Sequence, residues 1–228
     1  MVIRFAELAL ILAVVSGVSP QAAETPEQMA DRLLGAIGGR ARWATVTNTV
    51  NDSQQNLVAD PTVLRVVITM DFTRPRFRID TTGPNLKVVR VIDGPRSWML
   101  TRAGVVQDVP DNIMKTDMEW YAGHVYRTLH RVAARDAALS LSINAQRRLE
   151  IHENGARILW FALDAKGEPY AFGAHTNDAG TASGPWEYVH DGIHHPLWVS
   201  SPDGTWRAMI KTLAVNVPLN DGMFARPR

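Results

Sequence analysis

Apolar and polar residues alternate over long stretches of this chain. TVLRVVITMDF (62–72) sets Leu64, Val66, Ile68, Met70 and Phe72 on one side and Arg65, Thr69 and Asp71 on the other. RFRIDT repeats the pattern, with Phe77 and Ile79 opposite Arg76, Arg78 and Asp80. A period of two is the mark of a strand whose faces differ in environment. LKVVRVI and SWMLTR follow, joined at Asp93-Gly94, and Ala103-Gly104 turns the chain into VVQDV. Later, RRLEIHENGARILWFAL reverses at Asn154-Gly155, a dipeptide suited to a two-residue hairpin loop. Lys166-Gly167 leads into EPYAFGAH, 177–185 reads as a loop, and PWEYVH, HPLWVS and TWRAMIKTLAVNV finish the series. The short connections predict one antiparallel sheet of about eleven strands.

Two segments follow the helical period instead. TPEQMADRLLGAIGG places Thr25 as N-cap, Pro26 at the first helical position and Gln28 as the return half of a capping box, with Gly38-Gly39 as the stop. In 116–133, Met118, Tyr121, Val125, Leu129 and Val132 form an apolar stripe, with Thr116 and Glu119 as a second capping box. This predicts a single amphipathic helix inserted between strands. RILWFAL is apolar on both faces: Ile158, Trp160 and Ala162 alternate with Leu159, Phe161 and Leu163. A sheet with one wet side would not need this: either helices or loops cover both faces, or a curved sheet keeps an apolar hollow capped by the amphipathic helix. The expected fold class is mainly β (α+β), with helices lying on the sheet.

Composition adds bounds. The 228 residues are 46% apolar and 21% charged, with a net charge of +1, so no strong field favours nucleic acid. Residues 1–23 read as an export leader: Arg4, the apolar run FAELALILAVVSGV, then small residues up to a cleavage point near Ala23. The run is shorter than the roughly 20 residues of a membrane span. The expected product is a soluble periplasmic domain over 24–228 with no stable membrane span. It contains no cysteine, so no disulfide can staple it.

HDGIHHP (190–196) carries three histidines. With Asp191-Gly192 as the turn, His190 and His195 fall on one face and His194 on the other, so the three imidazoles do not converge as a zinc site requires. GxSxG, P-loop and GxGxxG patterns do not occur. No metal, cofactor or catalytic group is expected. A small hydrolase using histidines and carboxylates at hairpin ends is a lesser reading.

FTRPRFRID, then VIDGPRSWML, then LAVNVPLNDGMFARP after a strand–turn–strand with G-I-x-x-P, together resemble the periplasmic lipoprotein carrier (LolA-like) family. The leading helix with its Gly-Gly, and a following strand with Trp43, are similar too. The resemblance implies an unclosed antiparallel half-barrel with helices over its concave face. It implies an apolar hollow that holds the acyl chains of a lipid or acylated protein, and membrane-bound donor and acceptor partners. Carried onto this chain, the hollow would draw on Leu64, Val66, Ile68, Met70, Phe72, Phe77, Ile79, Trp98, Leu100 and Trp160. The lid helix would present Met118, Tyr121, Val125 and Leu129, and Arg74 would latch it by donating to lid carbonyls. A lipid-sensing regulatory or adaptor domain is the alternative use of the same fold.

Overall fold

The computed structural model describes residues 23–57, 59–175 and 177–227. Apart from Ala23, the expected leader lies outside the described residues. The chain opens with α1 (Pro26–Ala36) and α2 (Arg40–Ala44), then β1 (Asn48–Leu57), β2 (Asp60–Asp71), β3 (Arg76–Gly83), β4 (Leu86–Asp93), β5 (Trp98–Leu100) and β6 (Val106–Asp108). Helices α3 (Asp111–Ala122) and α4 (Val125–Ala133) interrupt the strands. Next come β7 (Leu139–Ile143), β8 (Leu149–Glu153), β9 (Ala156–Leu163), β10 (Pro169–Ala174) and β11 (Thr181–Ser183). A hairpin of β12 (Tyr188–His190) and β13 (Ile193–His195) precedes β14 (Trp198–Ser200), β15 (Trp206–Val215) and a 3-10 turn at Asp221–Met223.

Thirteen strands make one antiparallel sheet in the order β6-β5-β4-β3-β2-β1-β15-β14-β11-β10-β9-β8-β7. β6 and β7 stand at opposite ends and do not meet, so this is the unclosed half-barrel. The strand number exceeds the expected eleven for identifiable reasons. β1, with the sequence NTVNDSQQNL, is too polar to announce itself, and β11 lies inside the segment read as a loop. β12 and β13 pair only with each other, forming a separate two-stranded sheet.

The helices also depart from expectation in three respects, the first being that Trp43, expected on a strand, lies in α2. The stripe read as a single helix over 116–133 is two helices broken at Gly123-His124. A Cβ on Gly123 would sit 2.5 Å from the carbonyl oxygen of Ile158, so only glycine lets the helix pair approach β9 this closely. The stripe stays in phase across the break, which is why the pattern reads as continuous. The capping box at Thr116 does not form. α3 begins at Asp111, after Pro110, and the Thr116 hydroxyl donates to the Asn112 carbonyl at 3.1 Å. The box at Thr25 and Gln28 does form, at 2.9 and 3.2 Å.

The core has three parts. Under α1, α2 and α4 lie Leu149, Ile151, Leu159 and Phe161 of the sheet, with Trp43, Tyr126 and Leu129 from above. Under α3 lie Met70, Phe77 and Ile92, with Tyr121. On the opposite face, Val89, Val91 and Trp98 are covered by Phe224 of the C-terminal segment. That segment is a strap. Trp98 Nε1 donates to the Phe224 carbonyl at 2.9 Å, Arg78 donates to the Met223 carbonyl at 2.7 Å, and the Arg76 guanidinium lies 4.2 Å above the Phe224 ring. The arginine face of β3 is thus roofed by the chain's own end. Phe224→Ala should destabilise the fold by about 3–5 kcal/mol, since it empties a buried aromatic site and uncovers Trp98. A urea titration followed by tryptophan fluorescence measures it; a loss under about 1 kcal/mol would show the strap to be dispensable.

Candidate functional site

The hollow begins with the inward residues of the central strands. On β1 these are Thr49, Asn51, Ser53 and Gln55, which pair with Met70, Ile68, Val66 and Leu64 of β2. On the other side Ser53 pairs with Ile210 and Gln55 with Ala208 of β15, and Ala208 with Val199 of β14. The same face continues through Thr181, Phe172 and Phe161. Over this concave wall lies the α3–α4 junction, with Trp120, Gly123, His124, Val125 and Tyr126. Between wall and junction is a cavity of about 380 Å³, whose remaining lining includes Leu159, Ala174, Trp186 and Trp206. That volume is at the lower end for ligand sites. Among the described residues no charged side chain lines it. A second concavity of about 420 Å³, with Leu57, Leu64, Leu86 and Arg102, shares Gln55 and Trp206 with the first, so the trough runs on towards the tips of the β1–β2 and β3–β4 hairpins.

The expected lining residues divide into four groups. Ile68 faces the hollow, and Leu64 faces the outer concavity. Val66 lies buried on the same side of β2. Met70 and Phe77 are packed solid beneath α3, with Phe72 and Ile79 against them. Trp98, Leu100 and Trp160 are on the wrong face. Trp98 and Leu100 meet the C-terminal strap. Trp160 pairs across β9–β10 with Gly173, donates to the Asn177 carbonyl at 2.9 Å, and is capped by the Arg148 guanidinium 4.0 Å from its ring. An aromatic in a strand with two apolar faces gives no sign of which face is concave, and that is why these three were misplaced. Of the lid positions, Val125 lines the hollow, Leu129 is core, and Met118 and Tyr121 pack over Phe77. Asn51, His124, Tyr126 and Phe172 went unrecognised; the only sequence signal was an oddly polar strand.

Arg74 does not make the contacts expected of it. The Arg74 side chain does not reach the lid; it binds Asp221 of the strap at 2.7 Å and lies 3.5 Å from Asp71. The lid instead donates downward. Tyr121 Oη gives its proton to the Asp71 and Arg74 carbonyls, 2.8 and 3.1 Å away. His175 Nε2 lies 2.5 Å from the Glu119 carbonyl at the end of α3. Arg90 of β4 also meets Asp117 of α3 at 2.6 Å.

Burial dominates at Asp117 and raises its carboxyl above the usual range despite Arg90. At Asp71 burial works the same way, but hydrogen bonds from Thr73 and Arg76 outweigh it and hold the carboxyl low. Asp221 is lowered by hydrogen bonds from Arg76 and then Arg74. Burial, then the nearby Arg127 charge, pushes His124 down to about 3, so its imidazole is neutral at physiological pH. Burial also drives the Tyr126 phenol up, with Asn51 beside its hydroxyl.

The histidine hairpin has the expected register, with Tyr188 opposite His195 and His190 opposite Ile193. His195 is buried and stacks on Tyr188, while His190 meets Asp191 at 3.4 Å on an exposed tip. Among the described residues no three His, Asp or Glu side chains gather closely enough to hold a metal ion. Among the same residues no helix is long and apolar enough to cross a membrane.

The fold and the hollow define a class: an open antiparallel half-barrel with helices across its concave face. Neither a family model nor a curated protein matches the sequence. Among solved structures the chain is similar to a DUF1329 family protein from Desulfovibrio piger ATCC 29098, at 9% identity over 87% of this chain and 95% of that one, with a TM-score of 0.39. It is also similar to a structure of PNGF-II, at 7% identity over 78% of this chain and 29% of that one, with a TM-score of 0.21. Likenesses this remote carry no functional argument.

Tyr121→Phe removes the lid's hydrogen bonds to buried carbonyls, at a cost of about 1–3 kcal/mol. It should speed amide exchange across 111–122, whereas Arg74→Leu should speed it only in 217–227. Matching exchange patterns in the two variants would contradict the separation of lid and strap. The pH dependence has a definite sign. Asp71 and Asp221 have folded-state values below 3.8, so their stabilisation is present above 3.8 and disappears as pH falls through those lower values. The strap should therefore release in acid below 3.8, reported by Trp98 fluorescence, and Asp221→Asn should flatten that part of the curve.

Proposed function

We propose that the chain is a binding protein rather than an enzyme, holding an acyl chain of a lipid or acylated protein in the hollow beneath the α3–α4 junction. The observation that carries this reading is the roughly 380 Å³ cavity, lined by Ile68, Leu159, Phe172, Val199 and Ile210 with three tryptophans and, among the described residues, no charged side chain. An acyl chain gains about 0.8 kcal/mol for each methylene withdrawn from water. Ten methylenes thus gain roughly 8 kcal/mol by the same figure, part of which is spent on lost motion. That is enough to hold a chain and still release it to a competing surface. The volume suits one chain, not a bundle of three. The reading includes work in the periplasm, with membrane-bound donor and acceptor partners; the leader-like residues 1–23 and the resemblance of FTRPRFRID and VIDGPRSWML support it.

Native mass spectrometry of protein released from bacterial periplasm should show a bound lipid or acyl-peptide mass. Val199→Trp, which fills the hollow from β14, should remove that mass while leaving the circular dichroism spectrum unchanged. Wild-type protein that carries no such mass, and takes up no acyl chain when one is added, would defeat the proposal.

A further inference from the structure

The outer concavity of about 420 Å³ lies where the β1–β2, β3–β4 and β5–β6 hairpins end side by side. Leu57 pairs with Asp60 at the first tip and Gly83 with Leu86 at the second, and Arg102 lies in the turn between β5 and β6. Gln55 and Trp206 line this concavity and the hollow alike, so the head of a chain seated in the hollow has its way out here. Among the described residues two charged side chains line the concavity, Asp60 and Arg102. Both are exposed, and among the same residues neither makes an ion pair. Hydrogen bonds from Thr62, the amide at 2.8 Å among them, hold the Asp60 carboxyl low, so it is ionised at neutral pH. The Arg102 guanidinium is always charged. Asp60 belongs to β2 and Arg102 follows β5, three strands away, which is about 14 Å at the usual spacing between strands. The concavity thus has an anionic flank and a cationic flank, with the β3–β4 tip between them.

We infer that the hollow and this concavity together hold a single-chain zwitterionic lipid with the chemistry of a lysophospholipid. Its acyl chain lies in the hollow, its phosphate meets Arg102 and its ammonium meets Asp60. The inference rests on the acyl-chain reading and adds the head group. A neutral head leaves both charges to water. An anionic head gains Arg102 but is repelled by Asp60, and a cationic head meets the reverse. Only a head that carries both signs is complementary to both flanks. A guanidinium presents paired donors that match a phosphate, which suits Arg102 to the anionic group. Between the flanks, Asn56, Thr62 and Asn85 offer amide and hydroxyl groups to the hydroxyl and ester of a glycerol backbone. A hollow of about 380 Å³ takes one acyl chain, which matches a lysolipid and not an intact two-chain phospholipid.

The test compares four probes on the whole protein: dodecanoylglycerol, its phosphate, its phosphocholine, and glycerophosphocholine, which is the head without the chain. Binding is read below the micelle-forming concentrations from tryptophan fluorescence, since Trp120, Trp186 and Trp206 line the hollow and Trp206 the concavity as well. The phosphocholine should bind about fivefold more tightly than dodecanoylglycerol, the scale of an exposed ion pair. The phosphate should gain little over dodecanoylglycerol, because Asp60 opposes what Arg102 adds. Arg102→Gln should bring the phosphocholine down to the level of dodecanoylglycerol. Asp60→Asn keeps an acceptor for the Thr62 amide and should raise the phosphate to the level of the phosphocholine. Neither variant should change the binding of dodecanoylglycerol, since neither residue lines the hollow. Phosphocholine that binds no more tightly than dodecanoylglycerol overturns the inference, and so does a phosphate that binds tightest. Glycerophosphocholine that binds as well as the whole lipid also overturns it, because the head would then owe nothing to the hollow. Each of these leaves the acyl-chain reading standing as long as dodecanoylglycerol binds. Binding of none of the four overturns both.

Discussion

The pairing of β1 with β15 is the constraint on which the rest of the structure depends. Strands β1–β6 form a meander of neighbours in sequence, and β7–β11 with β14 and β15 form the other half of the sheet. Only the ladder running from Thr49–Val215 to Leu57–Trp206 makes the halves one sheet. Closing it brings together segments separated by most of the chain, an entropic cost that the contacts on both faces must offset. The ladder is also irregular. Asp52 faces Thr212 while the next residue, Ser53, faces Ile210, so Lys211 is extra. A bulge bends its strand and increases local twist. It falls beside Asn51 and Ser53, on the wall of the cavity, so the same irregularity that curves the sheet shapes the hollow.

Curvature alone does not leave space. Over β2–β4 the concave face is closed by α3, where Phe77 stacks with Tyr121 at 5.9 Å and meets Trp120 edge-on at 5.2 Å. Over β7–β9 it is closed by α1, α2 and α4. The cavity survives between, where the helix pair turns at Gly123. Two features keep it from collapsing. The C-terminal end of α3 is tied down twice, by Tyr121 to the β2–β3 turn and through its Glu119 carbonyl to His175. The wall beneath is polar, and Asn51 and Gln55 gain less than leucines would from drawing an apolar roof onto them.

Much of this architecture is written locally in the sequence. Alternation locates β2, β3 and β4, and Asn154-Gly155 fixes the β8–β9 hairpin, where both residues take positive φ (51° and 77°). The reversal at Asp191-Gly192 likewise determines that the three histidines diverge. What could not be read is what depends on distant pairing. β1 has an apolar content too low for a strand signal because its inward face borders the hollow and not the core. Trp98, Leu100 and Trp160 look like lining because a buried outer face, roofed by Phe224 or by Asn177 and Gly180, has the same pattern as a buried inner one. The helix break at Gly123 depends on how near β9 comes, which no helical periodicity reports. Arg74 next to Pro75 resembles a latch, yet its partner Asp221 is 147 residues away.

The division of labour between strap and lid bears on how a loaded chain would leave. If one arginine held both, opening the hollow would also unroof Trp98 and Val91 on the outer face and threaten the sheet itself. In this protein the charged contacts of Arg74, Arg76 and Asp221 secure the outer face, while α3 is held by neutral hydrogen bonds from Tyr121, its packing on Phe77 and a single ion pair to Arg90. Neutral hydrogen bonds contribute about 1 kcal/mol each once exchange with water is counted. A helix held mainly in this way would, on the proposed reading, move as a unit about Gly123 while β1–β15 and the strap stay intact. On the proposed reading, unloading then requires disturbing only the inner cover, and the sheet that carries the hollow persists through the cycle.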